Sequence, residues 1–234
     1  MAVFEKTTTA QSGKLQLEYF KKYRYPKSHG QLLNFYGVEG FDVYNTSVPF
    51  ADGGRSVIAG RVERRDTERS RTLFFEGGGT EWTLIPDAPV FELQDPFVTF
   101  IDGELVLGGV YVDWDREPIY YETRFYHGKS IYDLKYAFSG PGYMKDIRLL
   151  QLSDGRIAVF SRPNDEAIKK NYGCVCKVGF AIADKLSDIT PDFIYNAPFV
   201  EQLFPDDEWG GCNQLHDLGG GKIGVIGHRS WGEI

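Results

Sequence analysis

The chain has 234 residues and a formal net charge of -7, with 42% hydrophobic and 25% charged residues. That is enough apolar material for a real core, and it excludes wholesale disorder. The acidic balance argues against a nucleic-acid partner, and no apolar run approaches the roughly 20 residues a membrane helix needs. Aromatic residues at 15% and 27 glycines, against only two methionines, lean towards an all-β fold. The opening MAVFEKTTTAQSGK lacks an apolar stretch of signal-peptide length, so a cytoplasmic location is expected. Cys174, Cys176 and Cys212 are an odd, sparse set that fits free thiols in a reducing compartment. They lack Cys-x-x-Cys spacing, and the four histidines (His29, His127, His216, His228) form no close ligand pair, so no metal is expected.

In chain order, KLQLEYFKKY (14–23) suits a helix, but its Leu15, Leu17, Tyr19 alternation suits a strand as well. A first hairpin spans 43–61: VYNTSVPF, the turn Asp52-Gly53, then RSVIAGR. The run RVERRDTERSR (61–71) interleaves acids with bases and reads as a solvated strand and turn rather than an RNA patch. RTLFFEGGGTEW (71–82) reads as an outer strand, a glycine turn and an aromatic. Its EGGGTEW lacks the lysine and helix of a phosphate-binding loop. A second hairpin spans 95–110 around Asp102-Gly103, followed by the alternating strand YYETRFYHG (120–128). A third spans 146–162 around Asp154-Gly155, with short helical turns near 164–171 and a strand within GCVCKVGFAIAD (173–184). The fourth spans 212–228 around Gly220-Gly221. The turns are 50, 52 and 66 residues apart, and no linker divides the chain, so one domain over 1–234 is expected.

A short polar residue opens the first strand of each hairpin: Asn45, Asp95, Asp146 and Asn213. Sheet units of about 50 residues repeated four or more times suggest the blades of a β-propeller, whose first strands line a central funnel. The four side chains would then face one another there. The plainer alternative is that Asn and Asp cap strand starts and bond their own turns. The length gives either four blades or a five-bladed propeller whose last blade is incomplete in this chain, and the second is expected.

The segments VYN (43–45), AGRVERRD (59–66), QDPF (94–97), MKDIRLL (144–150), SRP (161–163), ADKLSDI (183–189) and WGGCNQ (209–214) carry motif character. In order and spacing they resemble the five-bladed propeller glycosidases, most closely glycoside hydrolase family 130, the mannoside phosphorylases and mannosidases. The chain looks like a divergent, uncharacterised sister family of these. The islands extend over about 40–234. That family's pattern contains Arg-Val-Glu, Glu-Asp-Pro-Arg, Lys-Asp and His-Arg-Pro. Arg61-Val62-Glu63 and Lys145-Asp146 are intact here, whereas Gln94-Asp95-Pro96-Phe97 and Ser161-Arg162-Pro163 depart from it. The resemblance implies that Asp95 is the general acid and that Asp146 and Arg61 line the mannosyl pocket. It implies glycoside cleavage, with inorganic phosphate as a co-substrate in the phosphorylase case. Phe97 and Ser161, standing where the family has Arg and His, leave plain hydrolysis at least as well supported.

Cleaving a glycosidic bond needs a proton for the leaving oxygen and a nucleophile at the sugar. A carboxyl held among other carboxylates and away from water keeps its proton to higher pH, a setting expected for Asp95 near Asp146. If water is the nucleophile, a base must activate it, and Glu63, Asp146 and Asp207 are all candidates. If phosphate is the nucleophile, cations must clamp it. Arg61, Arg162 and His228 follow the second strands of three hairpins and can do so, or can pair locally with the acids. Trp209, and with it Trp82 and Tyr143, can stack on a sugar face, although blade packing is the expectation for Trp82 and Trp114. A glycoside hydrolase or phosphorylase with a carbohydrate ligand is thus the first expectation. Its rivals are a non-catalytic propeller that binds carbohydrate or protein, with Asn45, Arg61, Arg162, Trp209, Asn213 and His228 as contacts, and a scaffold whose channel is plugged.

Overall fold

The computed structural model describes residues 12–23, 30–164, 170, 177–201, 203–205 and 207–231. The chain divides into two compact units, one of residues 31–142 and one of 143–234 joined by 1–30. Both are built mainly from antiparallel sheet, as the aromatic and glycine content predicts.

The 31–142 unit holds two sheets. The first contains β1 (Asn34–Tyr36), β2 (Asp42–Tyr44), β3 (Phe50–Asp52), β4 (Arg55–Glu63), β5 (Arg71–Gly78) and β6 (Glu81–Leu84). β4 pairs β2 and β3, then β5 and β6 follow, and β1 joins β6 in parallel at the edge. The second sheet is the meander β7 (Gln94–Ile101), β8 (Glu104–Asp113), β9 (Tyr120–Gly128) and β10 (Lys135–Ser139). Its first hairpin turns at Asp102-Gly103 as predicted, with φ of 53° and 76°, the two left-handed residues of a type I′ turn. The β3–β4 turn sits one residue later than predicted, at Gly53-Gly54. Asp52 closes β3 instead, and its carboxylate accepts from the Ile131 amide at 3.0 Å.

β4 is buried on both faces. Val57 and Ala59 pack with Phe74, Leu93, Leu105, Leu107 and Ile131, which ties the first sheet to the second. Ile58 and Val62 point the other way, onto Val38, Phe75 and Trp82. Each Val, Leu, Ile or Phe side chain among these contributes about 1.5–3 kcal/mol of burial. Strand alternation then puts Arg61 and Glu63 on the face of Val57 and Ala59, towards the second sheet. Phe97 is buried too, and its ring fills the space a Cβ on Gly108 would need. Trp82 is 2% exposed, the packing residue expected of it.

In the other unit, β11 (Arg148–Gln151), β12 (Ile157–Ser161) and β13 (Gly179–Ala183) form one sheet, and β14 (Glu208–Gly219) and β15 (Lys222–Trp231) form another. Ala158, Phe160, Val178, Phe180 and Cys212 make the core between them. Burial pushes the Cys212 thiol up to about 12, so it stays protonated. The segment 14–23 is helical, part of a helix over Gly13–Tyr23. Its start is held by Glu208, 1% exposed, whose carboxylate accepts from the Gly13 amide at 2.8 and 2.9 Å and from the Ser12 hydroxyl at 2.8 Å. A carboxylate there satisfies orphan amides and complements the helix dipole. Cys174, Cys176, His29 and most of the helical turns expected near 164–171 lie outside the described residues. No helix among the described residues is long and apolar enough to cross a membrane.

Candidate functional site

All four predicted hairpins form: β2 and β3 with β4, β7 with β8, β11 with β12, and β14 with β15. In each, the pairing slips close to the polar residue singled out in the sequence. Tyr44 faces Arg61 but Phe50 faces Val57. Gln94 faces Val110 but Phe97 faces Gly108. Met144 faces Pro163 but Arg148 faces Phe160. Cys212 faces Gly227 but Gln214 faces Ile226. The extra residues make a bulge, a device that re-aims a side chain. Asn45, Asp95 and Asp146 take left-handed backbone, with φ of 47°, 50° and 57°. Asn and Asp are the non-glycine residues that tolerate it best, so one backbone requirement recurs in three hairpins.

In the 31–142 unit these bulges build an acid cluster. Asp95 Oδ1 accepts from Asn45 Nδ2 at 2.7 Å and from Arg61 Nη1 at 2.9 Å. Arg61, 9% exposed, also donates from Nε to Glu63 Oε2 at 2.8 Å, with Nη2 at 2.7 Å from the same oxygen. Its guanidinium lies 5.2 Å from the centre of the Tyr44 ring. One cation thus serves two carboxylates. Burial pushes the Glu63 carboxyl above its ordinary value; the Ser70 hydroxyl opposes this, and the charges of Glu68, Asp95 and Asp42 add to it. Glu63 is buried, whereas the Asp95 side chain is 24% exposed, so of the two Asp95 is the one within reach of a ligand.

In the other unit the balance of charge is reversed. Asp146 Oδ2 lies 2.9 Å from Arg162 Nε and 3.8 Å from His228 Nε2, and its Oδ1 lies 3.9 Å from Arg148 Nη2. His228 Nδ1 shares a 2.7 Å hydrogen bond with Asn213 Oδ1. As the amide oxygen can only accept, the ring nitrogen donates, which turns Nε2 towards Asp146. Gly211 makes the cluster possible, because a Cβ there would stand 2.7 Å from Asp146 Oδ2 and 2.9 Å from Arg162 Cδ. Trp209 is half-buried two residues away, with the Arg162 guanidinium 5.7 Å from its ring centre. Asp207, a candidate base by sequence, is exposed and bonds Lys14 Nζ at 2.8 Å, at the start of the helix.

Two members escaped the sequence reading. Arg148 lies inside the MKDIRLL segment, two residues after Asp146, but is not singled out there. Gly211 reads as a loop glycine until the crowding above it is seen. Where the family pattern has Arg and His, Phe97 is packed against Phe125 and Ser161 is 3% exposed, so neither offers a cation.

A family model described as a protein of unknown function, DUF1861, matches residues 20–233. Among solved structures, the chain is similar to a mannose phosphorylase from Leishmania mexicana, in complex with phosphate ion, at 40% identity over 93% of this chain and 66% of that one, with a TM-score of 0.83. It is similar to a GDP-Man-dependent mannosyltransferase from the same organism at 39% identity, over 93% of this chain and 67% of that one, with a TM-score of 0.79. A hypothetical protein from Leishmania major matches at 37% identity over 94% and 68%, with a TM-score of 0.78. The chain therefore spans about two thirds of the length of each relative. No curated protein matches it. The resemblance to mannoside phosphorylases read from the motifs is borne out by the first of these relatives.

Proposed function

The chain belongs to the DUF1861 family, and on that footing we propose that it is a mannoside-active enzyme that cleaves a glycosidic bond with Asp95 as general acid and inorganic phosphate as the acceptor. The observation that carries the proposal is the Asn45–Asp95–Arg61–Glu63 cluster, a half-buried carboxyl oriented by two donors on a bulge. Two relatives near 40% identity, a mannose phosphorylase and a mannosyltransferase, support mannose as the transferred sugar.

The acid step belongs to the Asp95 cluster. The Asn45 amide and the Arg61 guanidinium orient the Asp95 carboxyl, which in its acid form carries the proton. That proton goes to the leaving oxygen as the C1–O bond breaks, and a phosphate oxygen takes C1 to give mannose 1-phosphate. Glu63 does not act on substrate here. It fixes Arg61, which fixes Asp95. The Asp146 cluster carries two guanidiniums, those of Arg162 and Arg148, against one carboxylate, a surplus of positive charge suited to an anion. The recurring hairpin and its recurring bulge support blades of a single β-propeller as the architecture.

Hydrolysis is the second reading, favoured by the apolar Phe97 and the neutral Ser161 where the related pattern is basic. Turnover of mannobiose with and without phosphate separates the two. Phosphate-dependent formation of mannose 1-phosphate is expected, and phosphate-independent release of mannose would establish hydrolysis instead. Asp95→Asn is expected to lower kcat about 10²–10⁴-fold, the ordinary worth of a positioned acid. Undiminished turnover in this variant removes Asp95 from the mechanism, and binding without turnover in the wild type leaves a carbohydrate-binding protein.

A further inference from the structure

Trp114 follows directly on β8 and, unlike Trp82, is only half-buried. The Arg69 guanidinium lies 5.9 Å from its ring centre. Beside the ring is a cavity of about 80 Å³ walled by Arg69, Ser70, Glu92, Gln94, Val110 and Trp114. A water molecule occupies roughly 30 Å³ in the liquid, so this space takes about two or three hydroxyl-sized groups. It accepts the edge of a sugar ring rather than a whole one.

Two of its walls belong to the acid cluster. Ser70, whose hydroxyl donates to the Glu68 carbonyl at 3.4 Å, stands close enough to Glu63, the carboxylate that holds Arg61, to oppose the upward push of burial on it. Gln94 immediately precedes Asp95, and its side-chain amide donates to the Glu68 carbonyl at 2.8 Å. The lining charges are already paired, Arg69 with Asp115 at 3.5 Å and Glu92 with Arg71 at 3.3 Å. A neutral ligand suits such walls better than an ion. A flat indole with hydroxyl, amide, guanidinium and carboxylate groups around it matches a sugar ring, apolar on its face and hydroxylated at its edge.

We propose that Trp114 and Arg69, with Ser70, Glu92 and Gln94, form the subsite for the leaving-group sugar, and so select which saccharide is cleaved from the mannosyl unit. This rests on Asp95 being the general acid, since a leaving-group site must adjoin the residue that protonates the leaving oxygen. Trp114 positions the substrate through its ring face and takes no part in proton transfer.

The test compares mannobiose, whose leaving group is a sugar, with mannosyl fluoride, whose leaving group is one atom. Trp114→Ala is expected to raise KM for mannobiose at least ten-fold relative to KM for mannosyl fluoride, with kcat nearly constant, while Trp114→Phe keeps most of the preference. Equal losses on both substrates, or a loss in kcat alone, would overturn the proposal and mark Trp114 as structural. Calorimetry without turnover gives a readout that survives failure of the catalytic assignment. Wild type is expected to bind mannobiose at least ten-fold more tightly than mannose, and Trp114→Ala to abolish that difference. If wild type binds the two sugars equally, or binds neither, there is no such subsite, whatever Asp95 does.

Discussion

The two units use one hairpin device for opposite electrostatic ends. Around Asp95, a single guanidinium is shared by two carboxylates, with the Asn45 amide as an additional donor. Around Asp146, a single carboxylate faces Arg162, Arg148 and His228. Asp95 and Asp146 have almost the same left-handed backbone, at φ 50° and 57°, each beside a slip in register. The backbone therefore sets where the polar residue stands, and the cross-strand neighbours set its chemistry. An acid-rich cluster suits proton handling, and a base-rich one suits an anion.

The largest expected effect is on turnover. Asp95→Asn should cost about 10²–10⁴ in kcat and leave the fold intact, because the amide keeps an oxygen for Asn45 and Arg61. Next is Arg162→Met, which leaves Asp146 buried with Arg148 and His228 at 3.9 and 3.8 Å as its charged or titratable neighbours among the described residues. Removing one partner of a buried pair costs about 3–5 kcal/mol, and the lower end is expected here, measured by denaturant unfolding. A loss below 1 kcal/mol would mean that Arg148 alone neutralises Asp146 and that the second cluster is less cation-rich than its distances suggest. Gly211→Ala should cost about 1–3 kcal/mol, because the added methyl collides with the side chains of that same cluster. Full stability in this variant would mean that Asp146 and Arg162 can shift freely, against a preorganised site.

The smallest effect concerns pH. Burial, the largest influence on Glu208, would raise its carboxyl. The Gly13 amide, the Ser12 hydroxyl, the Lys14 amide and the Arg229 charge together outweigh it and hold the group below its ordinary value. A carboxyl depressed by folding contributes stability that is fully present above its unfolded value of about 4.3. That contribution is lost as pH falls through the lower folded value. Glu208→Gln should therefore flatten the fall in stability below about pH 4.3. An unchanged acid limb would show that the helix anchor does not couple to protonation.

The repeated hairpins were legible because their signals are local: turn dipeptides beside apolar strands. Three of the four register residues, Asn45, Asp95 and Asp146, were legible for the same reason, since few residues other than Asn and Asp accept φ near 50°. Arg61 and Glu63 were legible as a pair because positions two apart on a strand share a face. The helix over Gly13–Tyr23 was not, because its anchor, Glu208, lies 195 residues away and its apolar residues Leu15, Tyr19 and Phe20 remain exposed. Its residue pattern therefore carries no imprint of a buried stripe. Asn213 was found by register, but its bond to His228 depends on strand pairing that brings together residues 15 apart. The turn at Gly53-Gly54 was misplaced by one residue because Asp52-Gly53 and Gly53-Gly54 are equally good turn dipeptides. Burial of Asp52 against the Ile131 amide decides between them. Gly211 and Gly108 show why the remainder stayed hidden: a glycine's reason lies in the side chains that crowd it.

The division of labour is tested most directly by calorimetric titration of inorganic phosphate into wild type, Asp95→Asn and Arg162→Lys. Lysine keeps the charge at 162 and loses the guanidinium fork. Asp95→Asn is predicted to bind phosphate as wild type does, with Arg162→Lys at least ten-fold weaker. Weakened binding in Asp95→Asn together with wild-type binding in Arg162→Lys would contradict the assignment of the proton to one cluster and the anion to the other.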